Sequence, residues 1–97
     1  MSKVVSEARV ESELTRLVVK KHKGLSIKLP AHLYRGIPDR LILLPGGRMW
    51  FLELKKKGGR MGVHQDKFRE ILEGLGFTCL KIEGMMELEQ WRDQNEL

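Results

Sequence analysis

Two strongly apolar runs on either side of Pro45-Gly46-Gly47 constrain this chain more than any other feature. Arg40-Leu41-Ile42-Leu43-Leu44 precedes the turn, and Arg48-Met49-Trp50-Phe51-Leu52-Glu53-Leu54-Lys55 follows it. Short apolar runs around a Gly-rich turn read as a β-hairpin. The first run stays apolar at every position after Arg40, so it belongs in the centre of a sheet. Loop length then fixes which residues oppose each other. With a three-residue Pro45-Gly46-Gly47 loop, Leu44 pairs with Arg48. Counting outward puts Asp39 across from Glu53, with Cβ atoms about 4.5–5.5 Å apart. A shorter Gly46-Gly47 loop would pair Asp39 with Leu54 and send its side chain to the other face. The longer loop is a common hairpin form, and Gly47 suits its left-handed position.

The rest of the chain supplies partners for this hairpin. Val10, Leu14, Leu17 and Val18 recur at helical spacing and predict a helix from about Ser6 to Lys23. Ser6 is its expected N-cap and Gly24 its expected left-handed stop. Leu25-Ser26-Ile27-Lys28-Leu29 alternates and predicts a half-buried strand ended by Pro30. A second helix is expected from about Gly62 to Leu75, with Phe68, Ile71, Leu72 and Leu75 inward and Gly76 as the stop. Phe77 to Ile82 reads as a fourth strand, and Met85 to about Gln94 as a short terminal helix. The order is α-β-β-β-α-β-α. The first three strands should be antiparallel neighbours. The helical crossover makes the third and fourth parallel. The expected fold is a mixed sheet flanked by helices, with Leu14, Leu17, Val18, Leu41, Leu43, Leu52, Leu54, Phe68, Leu72, Leu75, Leu80 and Ile82 buried.

Composition narrows the class. Ninety-seven residues fit one domain, 1–97, with no linker or repeat. No apolar run approaches ~18 residues, so no membrane span is expected. The single cysteine, Cys79, has no internal partner, which suits a reducing cytoplasm. Eighteen Lys+Arg against thirteen Asp+Glu leave a net charge of +5, which favours a polyanionic partner.

The hairpin also carries the chemistry. Glu53 and Lys55 lie two apart on a strand and share a face, and the expected register adds Asp39. Two opposed carboxylates repel and call for a cation or a raised pKa. Oxygen-only ligands suit Mg²⁺ or Mn²⁺, and the Leu54 carbonyl between Glu53 and Lys55 can join them. Lys55 on the same face can orient a water and neutralise a phosphate. That is equipment for metal-assisted phosphodiester hydrolysis. A solvated face with surface ion pairs is the plainer reading of the same residues. Lys56, Lys57 and Arg60, with Gly58-Gly59, form a basic loop suited to a phosphate backbone, and Arg35 can line the same groove. His22, His32 and His64 share no metal-ligand spacing. Trp50 and Trp91 read as core or dimer contacts.

Gly36-Ile37-Pro38-Asp39, then Phe51-Leu52-Glu53-Leu54-Lys55, then Gln65 in the next helix, resemble the PD-(D/E)XK nucleases. More narrowly they resemble the virus-type replication-repair nuclease (VRR-NUC) domain, in order and over nearly the whole chain. The resemblance implies the restriction-endonuclease-like α/β core. It implies a divalent-metal nuclease with Asp39 and Glu53 as ligands, Lys55 as catalytic lysine and Gln65 as a further site residue. It also implies an acid on the first helix. Spacing leaves Glu7 and Glu11 both open, and Glu11, three before Leu14, matches related junction-resolving enzymes. Lys28 matches a first-strand lysine of the family on the phosphate side. Compact phage members resemble Holliday-junction resolvases and act as homodimers. The expectation is therefore a cytoplasmic endodeoxyribonuclease for four-way or other branched DNA. A non-catalytic basic nucleic-acid-binding module is the alternative, and a protein-interaction domain a third reading.

Overall fold

A computed structural model describes residues 7–97. The expected N-cap, Ser6, lies outside the described residues. The chain forms α1 (Glu7–Thr15), which continues as a π-helical segment (Arg16–Lys21), then β1 (Leu25–Lys28), β2 (Arg40–Leu44) and β3 (Arg48–Lys55). After these come α2 (Val63–Gly74), β4 (Cys79–Glu83) and α3 (Gly84–Gln94). The expected order is present, and both hairpin strands have the expected bounds. The sheet runs β1-β2-β3-β4, antiparallel except for the parallel β3–β4 pair. Among the described residues no helix is long and apolar enough to cross a membrane.

The first helix differs from the regular one expected. After Thr15 it widens, and the His22 N–H reaches back to the Leu17 carbonyl at 3.2 Å, five residues away. This looser winding accompanies burial of both Leu17 and Val18. The left-handed residue at its end is Lys23, at φ 59°, rather than Gly24. Gly24 is required for a different reason, because a Cβ there would lie 2.3 Å from the Leu43 carbonyl oxygen. The second helix ends as expected. Gly76 is left-handed, its N–H donates to the Glu73 carbonyl, and the Phe77 N–H donates to the Leu72 carbonyl.

Helices α1 and α3 share one face of the sheet, and α2 packs on the other against β4. This asymmetry decides burial. Ile42, Leu44, Trp50, Leu52 and Leu54 point into the α1/α3 side and are buried with Val10, Leu14, Leu88 and Trp91. Trp50 and Trp91 meet edge-on with centroids 5.3 Å apart, as core contacts. Leu41 and Leu43, expected in the core, are only half-buried because α2 leaves their face partly open. Leu25 and Ile27, their neighbours on β1, are 57% and 39% exposed. Ile71 and Leu75 were expected inward on α2 but lie outward, while Leu72 is buried. Phe68 is half-buried against Tyr34, with ring centroids 5.2 Å apart.

Candidate active site

The hairpin register pairs Leu44 with Arg48 and Arg40 with Leu52, so Asp39 stands opposite Glu53. Both Gly46 and Gly47 adopt positive φ in the turn that sets this register. Two hydrogen bonds lock the pair. The Asp39 N–H donates to Glu53 Oε1 at 3.1 Å, and the Leu54 N–H donates to Asp39 Oδ2 at 2.7 Å. The Asp39 carbonyl accepts the Leu29 N–H at 2.7 Å, tying the start of β2 to the end of β1.

The segment before Asp39 explains why its motif needs glycine. Gly36 has φ +84°, and a Cβ there would lie 2.1 Å from the His64 carbonyl oxygen in the first turn of α2. Backbone thus packs directly on backbone. Pro38 is fully buried beside it. Together these contacts seat Asp39 at the junction of α2 and the hairpin.

Glu53 is a carboxylate with only 3% exposure. Burial pushes its pKa above the ordinary 4.5, and the facing Asp39 charge pushes it further. Lys55 Nζ, 3.2 Å from Glu53 Oε2, opposes that rise. On the neighbouring strand Lys81 stands beside Glu53 in register, and Glu83 beside Lys55. Sequence reading missed these two residues, because their alternation in β4 has meaning only once the parallel register is known.

A cavity of about 120 Å³ opens beside Asp39, lined by Glu7, Glu11, Lys28, Asp39, Arg40 and Leu54, while Glu53 and Lys55 do not line it. Both helical acids therefore lie on the Asp39 side of the constellation, and each is engaged. Glu7 Oε1 accepts the Lys56 N–H at 3.0 Å. Glu11 forms an ion pair with Arg40, whose exposure is only 7%. Arg40 was also missed. Its position ahead of an apolar run looked like a strand end, yet it sits on the α1 face. Lys28, paired with Arg40, lies on that face too and reaches the cavity from there.

Gln65 is half-buried in the first turn of α2. Its side-chain oxygen accepts the Gly62 N–H at 2.9 Å, so it fastens the start of its own helix. Arg35, Lys56, Lys57 and Arg60 are exposed. His64 is exposed and Cys79 buried, with burial raising the thiol pKa to about 11.

The donor set fits a hard divalent cation. Leu54 directs its N–H at Asp39, and the N–H and C=O of one strand residue leave the same side of the strand. Two carboxylates and that carbonyl present oxygen only. Among the described residues no three acidic, histidine or cysteine side chains cage an ion by themselves. Mg²⁺ does not need such a cage, since it is held through one or two carboxylates with waters and substrate phosphates. Burial first, and the facing Asp39 charge second, disfavour the charged form of Glu53, and a cation held by the pair would offset both.

The sequence matches no family model. It is 30% identical over 81 residues to "Putative nuclease p44" of Acyrthosiphon pisum secondary endosymbiont phage 1, covering 84% of this chain and 86% of that protein. The fold is similar to a solved structure described as "VRR_NUC domain", with TM-score 0.72 and 22% identity over 93% of this chain and 97% of that one. The motif order, the opposed Asp39 and Glu53, the phage relative and the shared fold agree, and the chain belongs to the VRR-NUC nuclease family.

Proposed function

We propose that this chain is a divalent-metal-dependent endodeoxyribonuclease that hydrolyses phosphodiester bonds in branched DNA, four-way junctions foremost. The observation that carries the reading is the Asp39–Glu53 pair with Lys55 3.2 Å from Glu53. A protein that only bound DNA would gain nothing from two carboxylates facing its phosphates.

The roles follow from placement. Asp39 and Glu53 hold Mg²⁺ or Mn²⁺, the Leu54 carbonyl adds a ligand, and Glu11 extends the acidic set from α1. A cation held by these residues would supply charge neutralisation at the phosphate and a more acidic water. The Leu54 N–H keeps Asp39 turned to the site, and the Asp39 N–H does the same for Glu53. Lys55, held by Glu53, presents its ammonium to the attacking water and the phosphate oxygens. Gln65 acts by fixing the start of α2, on which Gly36 and therefore Asp39 rest. Lys28, Arg35, Lys56, Lys57 and Arg60 contact the DNA backbone, consistent with a net charge of +5.

A homodimer suits a symmetric junction. The open apolar face at Leu25 and Ile27 supports a two-copy form. Light scattering on the purified protein reads the mass directly, and a monomer at working concentration removes this part of the proposal.

The test of the whole is a gel assay. Labelled four-way junction and matching linear duplex are incubated with Mg²⁺, Mn²⁺ or EDTA, beside Asp39→Ala. The expected result is metal-dependent cutting of the junction, absent in the variant. Retarded bands without cuts favour a binding module. Equal cutting of linear duplex removes the branch selectivity.

A further inference from the structure

The basic loop that follows β3 carries a Gly58-Gly59 pair, yet its backbone is tied down. The Lys56 N–H donates to Glu7 Oε1 at 3.0 Å, the Gly58 N–H donates to Glu83 Oε1, and Lys81 Nζ reaches the Gly59 carbonyl at 3.5 Å. The turn closes on itself through the Gly59 N–H and the Lys56 carbonyl, 2.8 Å apart. A Cβ on Gly59 would lie 3.0 Å from Lys55 Cβ, so the turn lies against the stem of the proposed catalytic lysine.

Glu83 is the centre of this arrangement. It stands at the β4–α3 junction, where its own N–H is fixed by Glu87 Oε1 at 2.7 Å. Its Oε2 is 3.7 Å from Lys81 Nζ. Its side chain is only 22% exposed, so it is aimed at the loop rather than at solvent. By charge alone a carboxylate here opposes the approach of a phosphate. Its benefit has to come from ordering the loop, because free glycine-rich backbone loses much entropy when it settles on a ligand.

We propose that Glu83 is a positioning residue that holds the 56–59 turn in place, so that the exposed Lys56 and Lys57 meet the DNA backbone already ordered. This rests on the nuclease reading above.

Charge and hydrogen bonding can be separated by two substitutions. Glu83→Ala and Glu83→Gln remove the same negative charge, but only glutamine keeps an acceptor for the Gly58 N–H. Affinity for labelled linear duplex and four-way junction is measured by fluorescence anisotropy in EDTA, where nothing is cut, across a salt series. Glu83→Ala should bind roughly tenfold more weakly despite the gain in net positive charge. Its slope of log affinity against log salt should be shallower by about one to two, as the Lys56 and Lys57 contacts are lost. Glu83→Gln should restore the affinity and the slope. Gly58→Ala, which strains a residue at φ +84° without altering charge, should reproduce the loss. It also decides the matter if Glu83→Ala fails to fold. Equal affinity of Glu83→Ala and Glu83→Gln, or an undiminished Gly58→Ala, overturns the proposal while leaving the nuclease reading intact. A wild-type protein with no affinity for either DNA overturns both.

Discussion

The Asp39 N–H lies 3.1 Å from Glu53 Oε1, across the mouth of a hairpin whose turn is Pro45-Gly46-Gly47. The backbone of one proposed metal ligand therefore holds the side chain of the other, and the Leu54 N–H holds Asp39 in turn. Asp39→Asn keeps the shape and the Leu54 N–H acceptor but lowers the negative charge. Cleavage should fall at least about a hundredfold, on the scale of losing a group that stabilises charge in the transition state. Single-turnover gel kinetics at saturating Mg²⁺ will measure it. Activity near wild type would remove Asp39 from the metal set.

Glu53 makes stability depend on pH in a direction opposite to most carboxylates. Its pKa is raised in the folded protein, first by burial and then by Asp39. The folded state then binds more protons than the unfolded one above pH 4.5, so this group's contribution falls as pH rises from there to the folded pKa. Glu53→Gln should accordingly melt higher than wild type at neutral pH in EDTA, and the advantage should vanish below pH 4.5. Mg²⁺ should raise the melting temperature of the wild type and not of Glu53→Gln. Thermal unfolding over a pH series checks both points.

Gly36 is predicted to tolerate no side chain. The positive φ and the position a Cβ would take, 2.1 Å from the His64 carbonyl oxygen, act together. Gly36→Ala should cost more than about 2 kcal/mol in urea unfolding. Residual folded protein should lose cleavage, because Asp39 follows this segment directly.

The Glu11–Arg40 pair is asymmetric, with a buried arginine and a half-exposed acid. Removing the acid strands the arginine, whereas removing the arginine leaves an acid that water can reach. Glu11→Ala should therefore destabilise by about 1–3 kcal/mol, less than for a fully buried pair. Arg40→Met should cost less. Urea titrations of the two variants give the comparison, and a larger loss for Arg40→Met contradicts it.

Cys79 should be inert in the folded state. Its thiol pKa is pushed up to about 11 by burial. Labelling with a maleimide at pH 8 should be negligible until the protein is unfolded in urea.

The order of elements, the hairpin register and therefore the Asp39–Glu53–Lys55 constellation are legible in the residue pattern. Each depends on local rules: helical spacing, strand alternation and the length of one glycine turn. The last turn of α2 was equally legible through Gly76. The rest follows from packing between elements. Alternation in β2 shows apolar residues on both faces and says nothing about which face receives two helices, so Ile42 and Leu44 are buried where Leu41 and Leu43 are not. No turn fixes the parallel β3–β4 register; docking of α2 sets it, and with it the placement of Lys81 and Glu83 beside the site. Burial of Arg40 against Glu11, the seat of Gly36 on His64 and the capping role of Gln65 arise likewise where separate elements meet. A hairpin turn joins residues close in sequence and its geometry is written there, whereas contacts between distant elements depend on how whole faces pack.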